Sequence, residues 1–160
     1  MYEVQDDGTT TTIKKYYAFA GQTVAMSAPD PEHPGEFTLS YFLTDHLGSV
    51  VAVTNASGVL LEQQRYLPFG EVRALPNYAT IALTDYGFTG QRDLDAQGRV
   101  HSLGLMDYRA RFYSSQTGRF TQPDSVTPGG PQGLNRYGYV NNNPINATDP
   151  TGHYGQDEIH

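Results

Sequence analysis

Apolar and polar residues alternate with a period of two along much of this chain, the spacing of a strand that buries one face. Residues 108 to 113, Tyr-Arg-Ala-Arg-Phe-Tyr, set Tyr108, Ala110 and Phe112 on one face and Arg109, Arg111 and Tyr113 on the other. Similar runs at Thr11–Ala20, Phe37–Leu43, Ser49–Thr54, Val59–Tyr66 and Tyr86–Thr89 are rich in β-branched and aromatic residues and read as strands. Asn55-Ala56-Ser57-Gly58 separates two of them, which predicts a hairpin from Ser49 to Tyr66. Asp95–Gly98 and Ser114–Gly118 read as further turns. The Pro-rich stretch Ser27–Gly35 reads as an exposed connection, because proline cannot donate to a ladder and restricts the residue before it. No stretch carries a sustained helical stripe, although Leu134–Val140 has room for one short helical turn. The expected class is mainly β, with antiparallel strand–turn–strand units.

From about Ser125 the pattern gives way to PGGPQGLN and then NNNPINATDPTGH. Glycine loses much backbone entropy on folding, so such a stretch stays ordered only if side chains or surrounding protein hold its turns. Within it, Asp149-Pro150-Thr151-Gly152 has the residue types of a tight turn: an Asp that accepts local hydrogen bonds, a Pro with fixed φ and a Gly that tolerates positive φ. Tyrosine recurs in similar company at Tyr41, Tyr66 and Tyr86, at intervals of roughly 20 to 25 residues, the range of stacked repeats.

Composition narrows the functional classes. The 160 residues are 38% hydrophobic and include 12 Tyr and 7 Phe, enough for a core in which phenols do much of the filling. Tyr108, Phe112, Tyr113, Phe120, Tyr137 and Tyr139 read as core rather than as a sugar-stacking platform. The formal net charge of −7 offers no basic footprint, so nucleic acid is not an expected partner. Cysteine is absent, which removes disulfides and thiol chemistry. No apolar run spans a membrane, and the start MYEVQDDGTTTTIKK has no signal-peptide pattern. His46, His101, His153 and His160 lack metal-ligand spacing, so neither metal nor cofactor is expected. Asp45-His46 with Ser49 holds the residue types of a triad, but neighbours on one strand point in alternate directions and do not converge.

Several motifs carry a family resemblance. Asp45–Val50 (DHLGSV), Tyr66–Arg73 (YLPFGEVR) and Tyr86–Asp93 (YGFTGQRD) resemble the YD repeats of Rhs proteins. Met106–Asp124 (MDYRARFYSSQTGRFTQPD) and Leu134–His153 (LNRYGYVNNNPINATDPTGH) resemble the Rhs repeat-associated core that closes the repeat array in polymorphic toxins, insecticidal toxin-complex C components and wall-associated proteins. The resemblance implies a β-shell fragment ending in a turn-rich core plug. Its expected divisions are 1–36, degenerate repeat strands and the Pro-rich connection; 37–105, YD-repeat-like strands; 106–153, the core; and 154–160, a tail. It also implies export to the outside or surface of the cell as part of a larger protein, with a C-terminal effector enclosed or displayed. The rest of the shell, or neighbouring copies, would pair with open strand edges.

In several such relatives two plug aspartates form an aspartic-protease-like pair that cuts the backbone after a DPxG motif. Carried over, the pair falls on Asp124 and Asp149, with Arg119 of Gly118-Arg119-Phe120 as an orienting candidate and the cut between His153 and Tyr154. Two close carboxylates that share a proton can activate water and protonate the departing amide. Here proline precedes Asp124 rather than following it, and His153 stands where relatives that cut commonly have Leu. The structural turn is therefore the leading expectation, with single-turnover self-cleavage as the alternative and a self-assembling or adhesive surface module as a third reading.

Overall fold

A computed structural model describes residues 2–6, 11–73, 81–94, 104–126, 131–153 and 156–157. Six strands follow one another as an antiparallel meander: β1 (Tyr2–Asp6), β2 (Thr11–Phe19), β3 (Gln22–Pro29), β4 (Phe37–Thr44), β5 (Val50–Asn55) and β6 (Leu60–Gln63). A second sheet of β7 (Arg92–Asp93), β8 (Leu105–Asp107), β9 (Phe112–Ser114) and β10 (Arg119–Phe120) is also antiparallel and pairs in chain order. β11 (Ala147–Thr148) and β12 (Gln156–Asp157) form a two-residue pair near the end. The mainly β, antiparallel expectation holds.

The first sheet follows the alternation. In β4, Ser40 and Phe42 face in while Tyr41 and Leu43 face solvent. Phe42 sits across from Val53 of β5, and Met26 of β3 lies between Tyr16 and Ser40. Tyr16, Met26, Phe42, Val50 and Val53 pack with Ile81 into one apolar cluster. Residues 81–83 are tied to β6 and Gln64 by hydrogen bonds: Gln64 Oε1 accepts from Ile81 N–H, and Glu62 Oε2 accepts from the N–H groups of Ala82 and Leu83, each at 3.0 Å. The Asn55–Gly58 turn forms as expected, with Asn55 Oδ1 accepting from Ser57 N–H at 3.0 Å and Val59 N–H at 2.9 Å.

A second cluster, Phe88, Met106, Tyr108, Tyr113, Phe120, Tyr139, Val140 and Ala147, lies under the short sheet. Tyr108, Tyr113, Phe120 and Tyr139 each touch the other three, with ring centroids 4.7–5.9 Å apart. Phe88 joins the two halves. Its ring stands 5.7 Å from Tyr66, whose hydroxyl donates to Val50 O at 3.2 Å, and 6.3 Å from Tyr139. Gly70 is required here, because at φ +88° a Cβ would lie 2.5 Å from the Phe88 ring. Of the six aromatics assigned to the core, Phe112 and Tyr137 are instead exposed.

Four elements differ from the sequence reading. The strand expected over 108–113 is confined to Phe112–Ser114. Asp107 Oδ1 takes Arg109 N–H at 2.7 Å, Ala110 N–H donates to Tyr108 O at 2.8 Å, and the resulting bend brings Tyr108 into the same core as Tyr113. Ser27–Pro29 belong to β3, so the Pro-rich connection begins at Asp30. The strand expected at Tyr86–Thr89 is a single bridge from Tyr86 to Arg92 followed by a 3-10 turn at Phe88–Gly90. The helical turn expected within Leu134–Val140 is replaced by 3-10 turns flanking it, Pro131–Leu134 and Val140–Asn142. The Asp95–Gly98 turn lies outside the described residues.

Candidate functional site

Arg111, Asp124 and Asp149 are all buried, with the carboxyl groups 4% and 1% exposed as residues. Arg111 enters from the bend before β9 and lays its guanidinium over the Phe120 ring, 3.6 Å from the centroid. Asp124 arrives from the loop after β10, fixed by backbone hydrogen bonds: its N–H donates to Arg136 O at 2.9 Å, and its own carbonyl accepts from Arg136 Nε and Nη2. Asp149 follows β11 in the DPTG turn.

One nitrogen gathers the three. Arg111 Nη2 lies 2.9 Å from Asp124 Oδ2 and 3.5 Å from Asp149 Oδ2, so the two carboxylate oxygens are no farther apart than the sum of those distances. The same Nη2 donates to the carbonyl of His153 at 3.0 Å, Nε donates to Gly152 O, and Nη1 donates to Arg136 O at 2.9 Å. His153 Nδ1 stands 3.1 Å from Asp124 Oδ1. Burial draws the Arg111 pKa down from its ordinary value, and the two carboxylates oppose that shift.

Asp149 also does what the turn reading requires. Its Oδ1 accepts from the N–H groups of Thr151, Gly152 and His153 at 3.2, 2.8 and 3.2 Å. The turn is wedged against the Arg111 bend: Ala110 N–H donates to Thr151 O at 3.3 Å, and a Cβ on Gly152, at φ +75°, would meet Tyr108 O at 2.5 Å. The two aspartates named from sequence are thus brought to one place, and His153 presents its carbonyl there. Tyr154 lies outside the described residues.

Arg119 is not brought to the pair. Phe120 faces the core, so its neighbour on β10 faces outward, and Arg119 is exposed beside Phe69, Gln116 and Asn142 in an open cavity of about 380 Å³. The cation at the centre is Arg111. Period-two reading placed Arg111 on the face of Tyr113, where it is buried, but a bend at Tyr108–Arg111 brings Tyr108 into the same core, so that both faces of the expected strand supply it. Asp45, His46 and Ser49 do not converge either. Asp45 Oδ1 caps the N–H groups of Leu47 and Ser49, His46 Nε2 meets Ile145 O at 2.9 Å, and Ser49 Oγ accepts from Thr89 N–H.

This arrangement can do two things chemically. A buried cation bonded to two carboxylates and three carbonyls clamps the DPTG turn to the bend before β9. The same cation polarises the His153 carbonyl, with two carboxylates beside it.

Residues 9–145 match the family model described as teneurin YD-shell, and the chain belongs to that family. It is 31% identical over 137 residues to toxin protein Tse5 of Pseudomonas aeruginosa, covering 84% of this chain and 9% of Tse5. It is likewise 31% identical over 149 residues to Teneurin-3 of Danio rerio (89% and 5% covered), and 31% over 133 residues to toxin subunit YenC1 of Yersinia entomophaga (82% and 13%). Among solved structures the fold resembles the TcdB2–TccC3 complex, with a TM-score of 0.73, 23% identity, and coverage of 94% of this chain and 7% of that one. The chain thus spans 13% or less of these relatives' length.

Proposed function

We propose that these residues form the closing plug of a YD shell, and that the Arg111 clamp fixes the segment leading to a C-terminal effector. The observation that carries this reading is the convergence of Arg111 on Asp124, Asp149, Gly152 O and His153 O, which ties the DPTG turn to the aromatic cluster. Relatives that include a toxin and a toxin subunit support an enclosing role and export within a larger protein. The outer strands β1 and β6, with Tyr2, Val4, Leu60 and Leu61 exposed, are where the remaining shell or a neighbouring copy would pair. Amide hydrogen exchange tests the plug. Slow exchange at Gly152 and His153, matched to that of Tyr113, is expected; exchange at the rate of a free chain end would sink it.

A second reading, self-cleavage after His153, is favoured by one contact: Arg111 Nη2 on the carbonyl of the bond in question. Water would add to that carbonyl carbon, with one carboxylate taking its proton. The bond to the Tyr154 nitrogen would then break as the other, protonated carboxyl group donates to the leaving amine. In the clamped arrangement the guanidinium itself offsets the repulsion between the carboxylates, a role that a shared proton plays in an aspartic dyad. The clamp reading therefore comes first. Intact mass of the chain carrying a C-terminal reporter separates the two: cleavage predicts a product ending at His153 in the wild type and full-length mass in Asp149→Asn. Full-length mass in both leaves the clamp alone.

A further inference from the structure

Apart from the Arg111 centre, the described residues hold another cluster of metal-ligating side chains. Asp30, His33 and Glu36 occupy the connection between β3 and β4, and one ligand atom from each lies within 4.8 Å of the others. We propose that this connection binds a zinc-class divalent transition ion through His33 Nδ1 and the carboxylates of Asp30 and Glu36.

The spacing Asp-x-x-His-x-x-Glu brings its three side chains together because the backbone closes on itself. Asp30 N–H donates to Glu36 O at 2.9 Å, and Glu36 N–H donates to His33 O at 3.0 Å. Pro31 and Pro34 fix two φ angles in the loop, and Pro34 also restricts His33. Asp30 divides its oxygens. Oδ1 accepts from the N–H groups of Glu32 and His33 at 2.8 and 3.3 Å, which leaves Oδ2 turned toward His33.

His33 Nδ1 and Asp30 Oδ2 stand 3.2 Å apart. Ligands bound at about 2.0–2.1 Å have neighbours roughly 2.8–3.0 Å apart in an octahedron and 3.3–3.4 Å apart in a tetrahedron, so this pair is within a few tenths of an ångström of one edge of a coordination sphere. Glu36 is exposed and needs only a side-chain rotation to complete a face.

The donor set selects the ion. One imidazole with two carboxylates suits zinc, cobalt, nickel or copper, whereas calcium takes six to eight oxygens and magnesium keeps an oxygen octahedron. His33 is 64% exposed, so water would fill the remaining positions. An ion here would tie the end of β3 to the start of β4.

Zinc titration of the intact chain by equilibrium dialysis, with metal analysis and a parallel melting curve, tests the proposal. One saturable, chelator-reversible Zn2+ per chain and a raised Tm are expected. His33→Ala and Glu36→Gln should each weaken binding by at least about tenfold, the loss usual even for groups that only support a ligand. Both side chains are exposed, so the fold survives either change, and His46→Ala should leave binding unchanged. The proposal is overturned if the wild type takes up no zinc, if His33→Ala binds as well as the wild type, or if His46→Ala costs as much as His33→Ala.

Discussion

The six-stranded sheet and the segment beyond Arg92 draw on the same residue types and are held by different means. In the first, strands of four to nine residues share continuous backbone ladders, and side chains need only alternate. In the second, strands of two or three residues pass into turns closed by local backbone bonds and by side chains such as Arg111 and Asp149, and packing falls to four mutually touching aromatic rings. A sheet tolerates the loss of one contact better than such a network, where each group answers a particular partner.

That contrast can be broken first with alkali. Burial raises the phenol pKa values of Tyr108, Tyr113 and Tyr139 above the ordinary 10.0, and all three belong to the second region. Folded phenols stay neutral where unfolded ones ionise. The stability they contribute is therefore complete below pH 10 and is lost as pH rises above it, by about 1.4 kcal/mol per unit for each tyrosine. Between about pH 10 and 12 the second region should unfold while phenolate absorbance rises in step. Ordinary titration of all three with the fold intact would contradict it.

Removing the clamp comes next. Arg111→Ala leaves two buried carboxylates without their cation and should cost about 3–5 kcal/mol in urea unfolding. Amide protection should fall around Tyr113 and Gly152 and persist in β3 to β5; equal loss in both would make the regions one cooperative unit. Met26→Ala is the mirror experiment. A cavity between β2 and β4 should cost about 2–5 kcal/mol and release the first sheet ahead of the second. The smallest change sharpens the comparison at one turn of each region: Gly152→Ala meets Tyr108 O in a left-handed conformation and should cost about 1–3 kcal/mol. Gly58→Ala, with φ +79° and open space around it, should cost less, and reversed rankings would show that the DPTG turn is not wedged.

What was legible in the sequence follows the same line. β2, β4, β5 and the Asn55–Gly58 turn were read from alternation and turn chemistry, since in a ladder the local pattern and the final environment agree. Asp124 and Asp149 were found through motif resemblance, and no periodicity would have placed them together. Arg111 escaped because alternation sets an arginine beside Tyr113 without showing that two distant aspartates, Asp124 and Asp149, meet its charge there. Arg119 came from the GRF motif of the resemblance, yet the Phe120 ring of that motif carries Arg111, which reaches it from the bend before β9. β3 was partly obscured by Pro29, which sits at the strand's last position, where a missing N–H is tolerated.

Asp149 splits its duties between two atoms: Oδ1 holds the turn and Oδ2 faces the guanidinium. An asparagine there keeps a carbonyl for the first duty but turns a donor NH2 toward the guanidinium, giving up both the charge and the hydrogen bond from Arg111. The hold on the turn is thus separable from the hold on the guanidinium by the exchange of one oxygen for an amide nitrogen.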